Sequence, residues 1–188
     1  MRIVSLVPSA SEIICQLGLE GFLVAVSHEC NFPKSLNRLP VVTSSNISSI
    51  LPQKEIDNLV RDKVNSNLPL YQIDNQMINN ANPDIIITQG VCDVCAISES
   101  QVEATLKGQL CTLSADTEII SLNGRSFDGI CQDIENLGKK LDKEKEASLI
   151  IDNANAEKEI MLSEEKRDIR VLCLEWIDPY FSAGHWVP

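Results

Sequence analysis

Four short, mostly apolar runs separated by helical or loop segments constrain the fold of this chain more than any other feature. None of these runs alternates polar with apolar residues, and this is typical of strands that are covered on both faces. Parallel neighbours need long crossover connections, which the intervening segments are long enough to supply. The sequence therefore predicts an α/β fold, a parallel sheet with helices on both faces. The predicted strands are residues 3–7, 22–26, 85–88 and 109–113.

Several segments between these runs carry helix signals. Ser9 and Glu12 have the spacing of a capping box, and Gly18 follows the last apolar position of the first helix. Asp74 precedes another helical pattern and is its candidate N-cap. Further helices are predicted at residues 55–64 and 98–106, and a short strand near residues 70–73.

A helical pattern without proline runs from Phe127 to about Lys166. Its apolar residues recur at first in steps of three and four, as at Ile130, Ile134 and Leu137. A single helix of roughly forty residues would be about 60 Å long, which exceeds the depth of one small lobe. The pattern predicts a long helix that connects two lobes, or a helix pair that breaks near the charged residues 142–146.

The end of the chain combines an apolar run with an aromatic loop. Residues 169–176 predict a buried strand, and residues 178–188 predict a loop with functional groups. The expected organisation is an N-terminal α/β lobe at 1–125, a linking helix at 126–167, and the start of a truncated second lobe at 168–188. A strand without its sheet is expected to fold back on the first lobe or to pair between chains as a homo-oligomer.

Charge and cysteine content limit the partners and the compartment. The formal net charge is −11, from 16 Lys+Arg against 27 Asp+Glu, which disfavours nucleic acid and anionic membranes. No secretion signal is visible, and seven cysteines fit a reducing compartment. The sequence as written predicts a cytoplasmic protein, or a periplasmic or surface protein if a leader was removed.

Two loops after predicted strands carry histidine and cysteine. His28 and Cys30 follow the second strand, and Cys92-x-x-Cys95 follows the third. Both loops are expected at the carboxyl edge of the sheet, so the four residues are a candidate tetrahedral Zn²⁺ site. Two alternatives stay open: a thiol-redox pair, and plain packing of small apolar side chains. Packing is the expected role of the remaining cysteines, Cys15, Cys111, Cys131 and Cys173.

No enzyme signature is present. The sequence has no nucleophile elbow, no phosphate-binding Walker loop and no dinucleotide-binding glycine set. The chain is therefore expected to bind a ligand and not to catalyse a reaction.

Three segments of the chain are IVSLVPSASE at 3–12, VAVSHECNFP at 24–33 and NPDIIIT at 82–88. Together they resemble the opening lobe of the helical-backbone, or class III, substrate-binding proteins of ABC importers. The resemblance, strongest to the cobalamin-binding branch, extends over nearly the whole chain. It implies a periplasmic-binding-protein-like lobe, a rigid linking helix and a ligand held between two lobes. The implied ligand is cobalamin or another metal chelate, and the implied partner is an ABC permease.

The resemblance also implies which residues contact the ligand. Ser9 and Ser11 begin a helix whose amide groups suit an anionic or carbonyl-bearing ligand, although capping alone would also explain them. Aromatic residues of the tail suit a large flat ligand, with His185 as a candidate axial ligand of cobalt or iron, although they also fit lobe packing. The candidate ligand-binding residues are Ser9, Ser11, His28, Glu29, Gln89, Glu175, Trp176, His185 and Trp186. The alternative is a cytosolic module that binds Zn²⁺ or a similar metal, or a thiol-redox module that uses Cys92-x-x-Cys95.

Overall fold

The computed structural model describes residues 1–66, 68–91, 102–103, 116–163, 168 and 170–182, and every structural statement below concerns these residues. The chain forms two compact units, Met1–Asn123 and Gly124–Pro188. The strands are β1 (Ile3–Ser5), β2 (Leu23–Val26), β3 (Thr43–Ser45), β4 (Tyr71–Ile73), β5 (Ile85–Gln89), β6 (Glu118–Leu122), β7 (Leu174–Ile177) and β8 (Tyr180–Ser182). The helices are α1 (Pro8–Gln16), α2 (Gln53–Asn65), α3 (Asn75–Ala81), α4 (Phe127–Lys140) and α5 (Glu144–Ser163).

The first unit is built on a parallel sheet in the order β2-β1-β5-β6. Val4, Ala25 and Ile86 are buried on one face together with Ile78 of α3 and Val102. On the opposite face, Ser5 accepts a hydrogen bond from Ser11 of α1. Alternate strand residues thus meet helices on opposite sides, which confirms the predicted α/β fold with helices on both faces.

The fourth strand of this sheet was not predicted. The predicted run at 109–113 lies outside the described residues, whereas β6 pairs in parallel with β5 from Ile85↔Glu118 to Gln89↔Leu122. Four of the five residues of β6 are only half-buried. A half-buried strand that begins with a glutamate and contains a serine lacks the continuous apolar run that identified its neighbours.

The predicted capping box of the first helix is wrong. α1 begins at Pro8, and its N-cap is Val7, which is extended and makes no side-chain cap. Proline is well suited to the first helical position because its missing N–H would have no partner there. The end of the helix is confirmed, since Gly18 has a φ of 74° that favours glycine. Asp74 caps α3 as predicted, with its Oδ1 accepting from the backbone N–H of Met77 at 2.9 Å.

A small antiparallel sheet lies beside β2. β4 confirms the strand predicted near 70–73, and it pairs with β3 from Thr43↔Ile73 to Ser45↔Tyr71. An isolated parallel bridge between Val26 and Val41 connects the chain before β3 to the end of β2. This sheet brings Thr43 and Tyr71 to the loop that follows β2.

The second unit contains a helical hairpin in place of one continuous helix. α4 begins at Phe127 as predicted and ends at Lys140, and Asp142 has a left-handed φ of 54° before α5 begins. Lys158 of α5 lies 4.4 Å from the ring centroid of Phe127, so α5 runs back along α4. The single long helix is therefore wrong, and the break near residues 142–146 is confirmed.

The described part of the tail forms a second hairpin, β7–β8. The prediction of a buried strand is wrong, because Val171, Leu172 and Leu174 are 71%, 73% and 49% exposed. Part of the predicted loop is β8, which gives β7 a partner within the same chain. Hydrogen bonds across this hairpin satisfy one edge of β7 without the first lobe or a second copy.

None of the described helices is both long enough and apolar enough to cross a membrane.

Candidate functional site at the carboxyl edge of the sheet

The carboxyl ends of the parallel strands meet at one edge of the first unit. The chain leaves β1 towards β2 on one side, whereas β5 is followed by β6 on the other side. The loops after β1 and β5 therefore diverge, and such a switch point is where open α/β sheets usually bind ligands. Ser9, His28 and Gln89 all lie at or just beyond these strand ends.

Ser9 and Ser11 occupy different environments. Ser9 is exposed at the start of α1. Ser11 is fully buried, and its hydroxyl donates to Ser5 Oγ at 2.8 Å, which in turn donates to the Val7 carbonyl at 2.9 Å. This arrangement ties α1 to β1 and argues against contact between Ser11 and a ligand. Ligand contact by Ser9 remains a prediction.

His28 is fixed by residues that the sequence analysis did not single out. Thr43 Oγ1 lies 2.7 Å from His28 Nδ1 and accepts the backbone N–H of His28 at 3.0 Å. The ring of Tyr71 lies 5.7 Å from the imidazole, centroid to centroid. Both contacts come from the small β3–β4 sheet, whose pairing across distant segments gave no signal next to His28 in the sequence.

The other nitrogen of His28 faces the neighbouring carboxylate. Nε2 lies 3.4 Å from Glu29 Oε1, and within the described part of the chain it is buried without a hydrogen bond. The imidazole side chain is 24% exposed, and that of Glu29 is 63% exposed. The loop after β2 therefore holds a buried polar nitrogen next to a mostly exposed carboxylate.

The candidate Zn²⁺ site is only partly within the described residues. Cys30 is 5% exposed, and its Sγ lies 3.2 Å from Ser27 Oγ and 4.0 Å from the Ser5 carbonyl oxygen. Cys92 and Cys95 lie outside the described residues, so their convergence with His28 and Cys30 stays a prediction. Among the residues that are described, no three His, Cys, Asp or Glu side chains form a metal-binding group.

The remaining described cysteines differ from one another. Burial, with help from the charges of Glu20 and Glu12, raises the pKa of the Cys15 thiol to about 11. Cys15 and Cys131 are half-buried, in line with packing, but Cys173 is exposed, so its predicted packing role is wrong. The predicted strand around Cys173 has no sheet beneath it in the described structure.

The end of β5 adds groups that the sequence analysis missed. Gly90 N–H donates to the Leu122 carbonyl at 2.9 Å. A Cβ at Gly90 would overlap the Asn123 amide oxygen and lie 3.0 Å from Ser121 Oγ, so glycine allows the close approach of the two loops. Because β6 was not predicted, Ser121 and Asn123 could not be assigned to this edge.

Of the candidate residues in the second unit, two are described. Glu175 is exposed, and Trp176 is half-buried with its indole N–H donating to the Asp178 carbonyl at 3.1 Å. His185 and Trp186 lie outside the described residues. Ligand contact by these four residues therefore stays a prediction.

The sequence matches no protein-family model and no curated protein. Solved structures do match. A Staphylococcus epidermidis protein, described as a possible iron-binding, periplasmic solute-binding protein, is 20% identical with a TM-score of 0.63. The periplasmic vitamin B12 binding protein BtuF of Vibrio cholerae is 19% identical with a TM-score of 0.61. IsdE of Staphylococcus aureus, solved with heme, is 13% identical with a TM-score of 0.62.

These matches cover 99%, 95% and 99% of this chain. The chain has the fold of class III substrate-binding proteins. It spans 61%, 57% and 59% of the length of the three matched proteins. One is described as a vitamin B12 binding protein, one as a possible iron-binding protein, and one is complexed with heme. Their fold agrees with the resemblance carried by the sequence segments at 3–12, 24–33 and 82–88.

Proposed function

We propose that this chain is the ligand-binding part of a substrate-binding protein that delivers a metal chelate to an ABC importer. The observation that carries this proposal is the fold match to proteins described with iron, vitamin B12 or heme, which covers 99% of this chain in two of the three cases. The chelate classes are those of the matched proteins: iron compounds, heme and vitamin B12. This role requires binding and release only, so we assign no catalytic residue.

The carboxyl edge of the first unit is the proposed binding surface. Ser9, His28 and Gln89 lie at or beside the switch point of the sheet, with Glu29 over the imidazole. The resemblance implies that residues of the tail also contact the ligand. Those residues are Glu175, Trp176, His185 and Trp186.

A chelate is favoured over a free metal ion. A bare Zn²⁺ would need three or four protein ligands at one point, whereas a chelate brings most of its own donors. Two of the three matched proteins are described with a chelate, vitamin B12 in one case and heme in the other. The convergence of His28, Cys30, Cys92 and Cys95 is not required by this proposal. Two of the matched proteins are described as periplasmic, which favours a site of action outside the cytoplasm.

Spectroscopic titration of the 188-residue chain tests the proposal. Hemin, cyanocobalamin and a ferric hydroxamate are added separately to the reduced protein, and absorbance and quenching of tryptophan fluorescence are recorded. We expect saturable one-to-one binding of one chelate class, weakened by Ser9→Ala and His28→Ala. Ser48→Ala is the matched control, because Ser48 is exposed and lies outside the loops that follow the parallel strands. Failure of all three chelates to bind folded protein would contradict the proposal.

A further inference from the structure

The hydrogen bonds around Thr43 restrict where the proton of the His28 ring lies. Thr43 is 6% exposed, and its Oγ1 accepts the backbone N–H of His28 at 3.0 Å. A hydroxyl also has a hydrogen to donate. Among the hydrogen bonds described for Thr43, the acceptor for that hydrogen is His28 Nδ1, at 2.7 Å.

This assignment places the ring proton of neutral His28 on Nε2, because Nδ1 is the acceptor. The opposite tautomer would make Thr43 Oγ1 accept two N–H groups and leave its own buried hydrogen without an acceptor, which is costly. The carboxylate of Glu29 adds to the preference, since its Oε1 lies 3.4 Å from Nε2 and favours a proton there.

We infer that Thr43 is a positioning residue, which holds His28 as the Nε2–H tautomer, so that His28 offers a hydrogen-bond donor to an oxygen acceptor of the ligand. This inference rests on the proposed function for the identity of the site. The nitrogen is buried and makes no hydrogen bond among the described residues, so its proton has no hydrogen-bond acceptor in the absence of ligand. Binding of a ligand oxygen at Nε2 requires the Glu29 carboxylate, whose side chain is 63% exposed, to turn away from the imidazole.

The same geometry argues against metal ligation through Nε2. A metal ion binds the lone pair of a nitrogen that carries no proton. To supply that lone pair, His28 would move its proton to Nδ1 and leave the Thr43 hydroxyl hydrogen without its acceptor. The chelate is therefore recognised at His28 through a peripheral carboxylate or amide oxygen, and its metal is coordinated by other atoms.

Long-range ¹H–¹⁵N correlation spectra of histidine-labelled protein test the tautomer directly. The chain has two histidines, so His28→Gln assigns the signals. At about pH 8.5, where histidine is normally neutral, we expect the Nε2–H pattern for His28 in wild type and in Thr43→Ser. In Thr43→Val we expect loss of this pattern or a mixture of tautomers. An Nδ1–H pattern in wild type, or an unchanged spectrum in folded Thr43→Val, would overturn the inference.

Two additions to the same samples test the role of the tautomer. For the chelate that binds wild type, we expect Thr43→Val to raise Kd about five- to tenfold, which corresponds to the loss of one hydrogen bond. Thr43→Ser should restore the wild-type Kd. One equivalent of Zn²⁺ alone should leave the His28 pattern unchanged. Loss of the Nε2–H signal with Zn²⁺ would overturn the donor role, even if Thr43→Val fails to fold. An Nε2–H pattern with no chelate bound would support the tautomer and refute the proposed function.

Discussion

Substitution of Ser11 by alanine separates structural from ligand-binding roles at the start of α1. Ser11 Oγ is fully buried and donates to Ser5 Oγ, which still donates to the Val7 carbonyl when Ser11 is removed. Ser5 then keeps its donated bond and loses one accepted bond. The expected cost is about 1 kcal/mol, the usual net value of one neutral hydrogen bond.

This cost is measurable by unfolding. For a chain of this size, about 1 kcal/mol lowers Tm by roughly 2–4 °C. Urea unfolding should show a lower midpoint at unchanged slope, because the surface exposed on unfolding does not change. Ser9→Ala is the matched control, since Ser9 is exposed and its change should stay within about 0.5 kcal/mol.

The two substitutions should affect chelate affinity in the opposite order from stability. We expect Ser9→Ala to weaken chelate binding and Ser11→Ala to leave Kd unchanged at temperatures where the protein is folded. Wild-type stability of Ser11→Ala, or a greater loss of affinity in Ser11→Ala than in Ser9→Ala, would refute the reasoning.

Three further substitutions or modifications test the packing. Gly138→Ala should lower the free energy of unfolding, because its Cβ would overlap Ala147. A Gly→Ala change in a helix usually raises that free energy by about 1 kcal/mol. In urea unfolding, the double variant Gly138→Ala/Ala147→Gly should recover part of the loss. Ile86→Ala should cost about 2–5 kcal/mol, since Ile86 is fully buried, and Ile50→Ala, at a 90% exposed site, should cost almost nothing. The Cys15 thiol, with a pKa raised to about 11, should react with iodoacetamide more slowly than exposed Cys173 at about pH 8.5, as read by mass spectrometry. Because the folded state raises this pKa above its ordinary value of 9.0, the stability from Cys15 should be complete below pH 9.0 and decline as pH rises towards 11. A difference in stability between wild type and Cys15→Ser that does not change across that range would contradict this.

The central strands could be predicted from the sequence because they are buried on both faces. Ile3, Ile86 and Ile87 are fully buried, and such strands are continuous apolar runs. β6 could not be predicted in this way, because its residues are mostly half-buried and its pairing depends on the open edge of β5. The hairpin break at Asp142 was visible in the sequence as a charged run. The packing of α5 along α4 was not, because it involves a close approach of Gly138 to Ala147.

In the candidate site, only residues that directly follow a predicted strand could be predicted from the sequence. His28 was found because it directly follows a strand, whereas Thr43 and Tyr71 reach it through the pairing of β3 with β4. The sequence did contain a signal that Ser11 is buried, but the capping-box interpretation of α1 obscured it. Ser11 lies three residues before fully buried Ile14, on the same face of α1.

Mapping of the bound chelate on the chain tests the central claim most directly. ¹H–¹⁵N spectra of uniformly ¹⁵N-labelled protein are recorded with and without cyanocobalamin or zinc protoporphyrin, whichever binds. The account predicts that the largest shifts lie at the carboxyl edge of the parallel sheet, at Ser9, His28 and Gln89. Shifts confined to the opposite edge, around Arg2 and Asp84, or to the α4–α5 hairpin would contradict it.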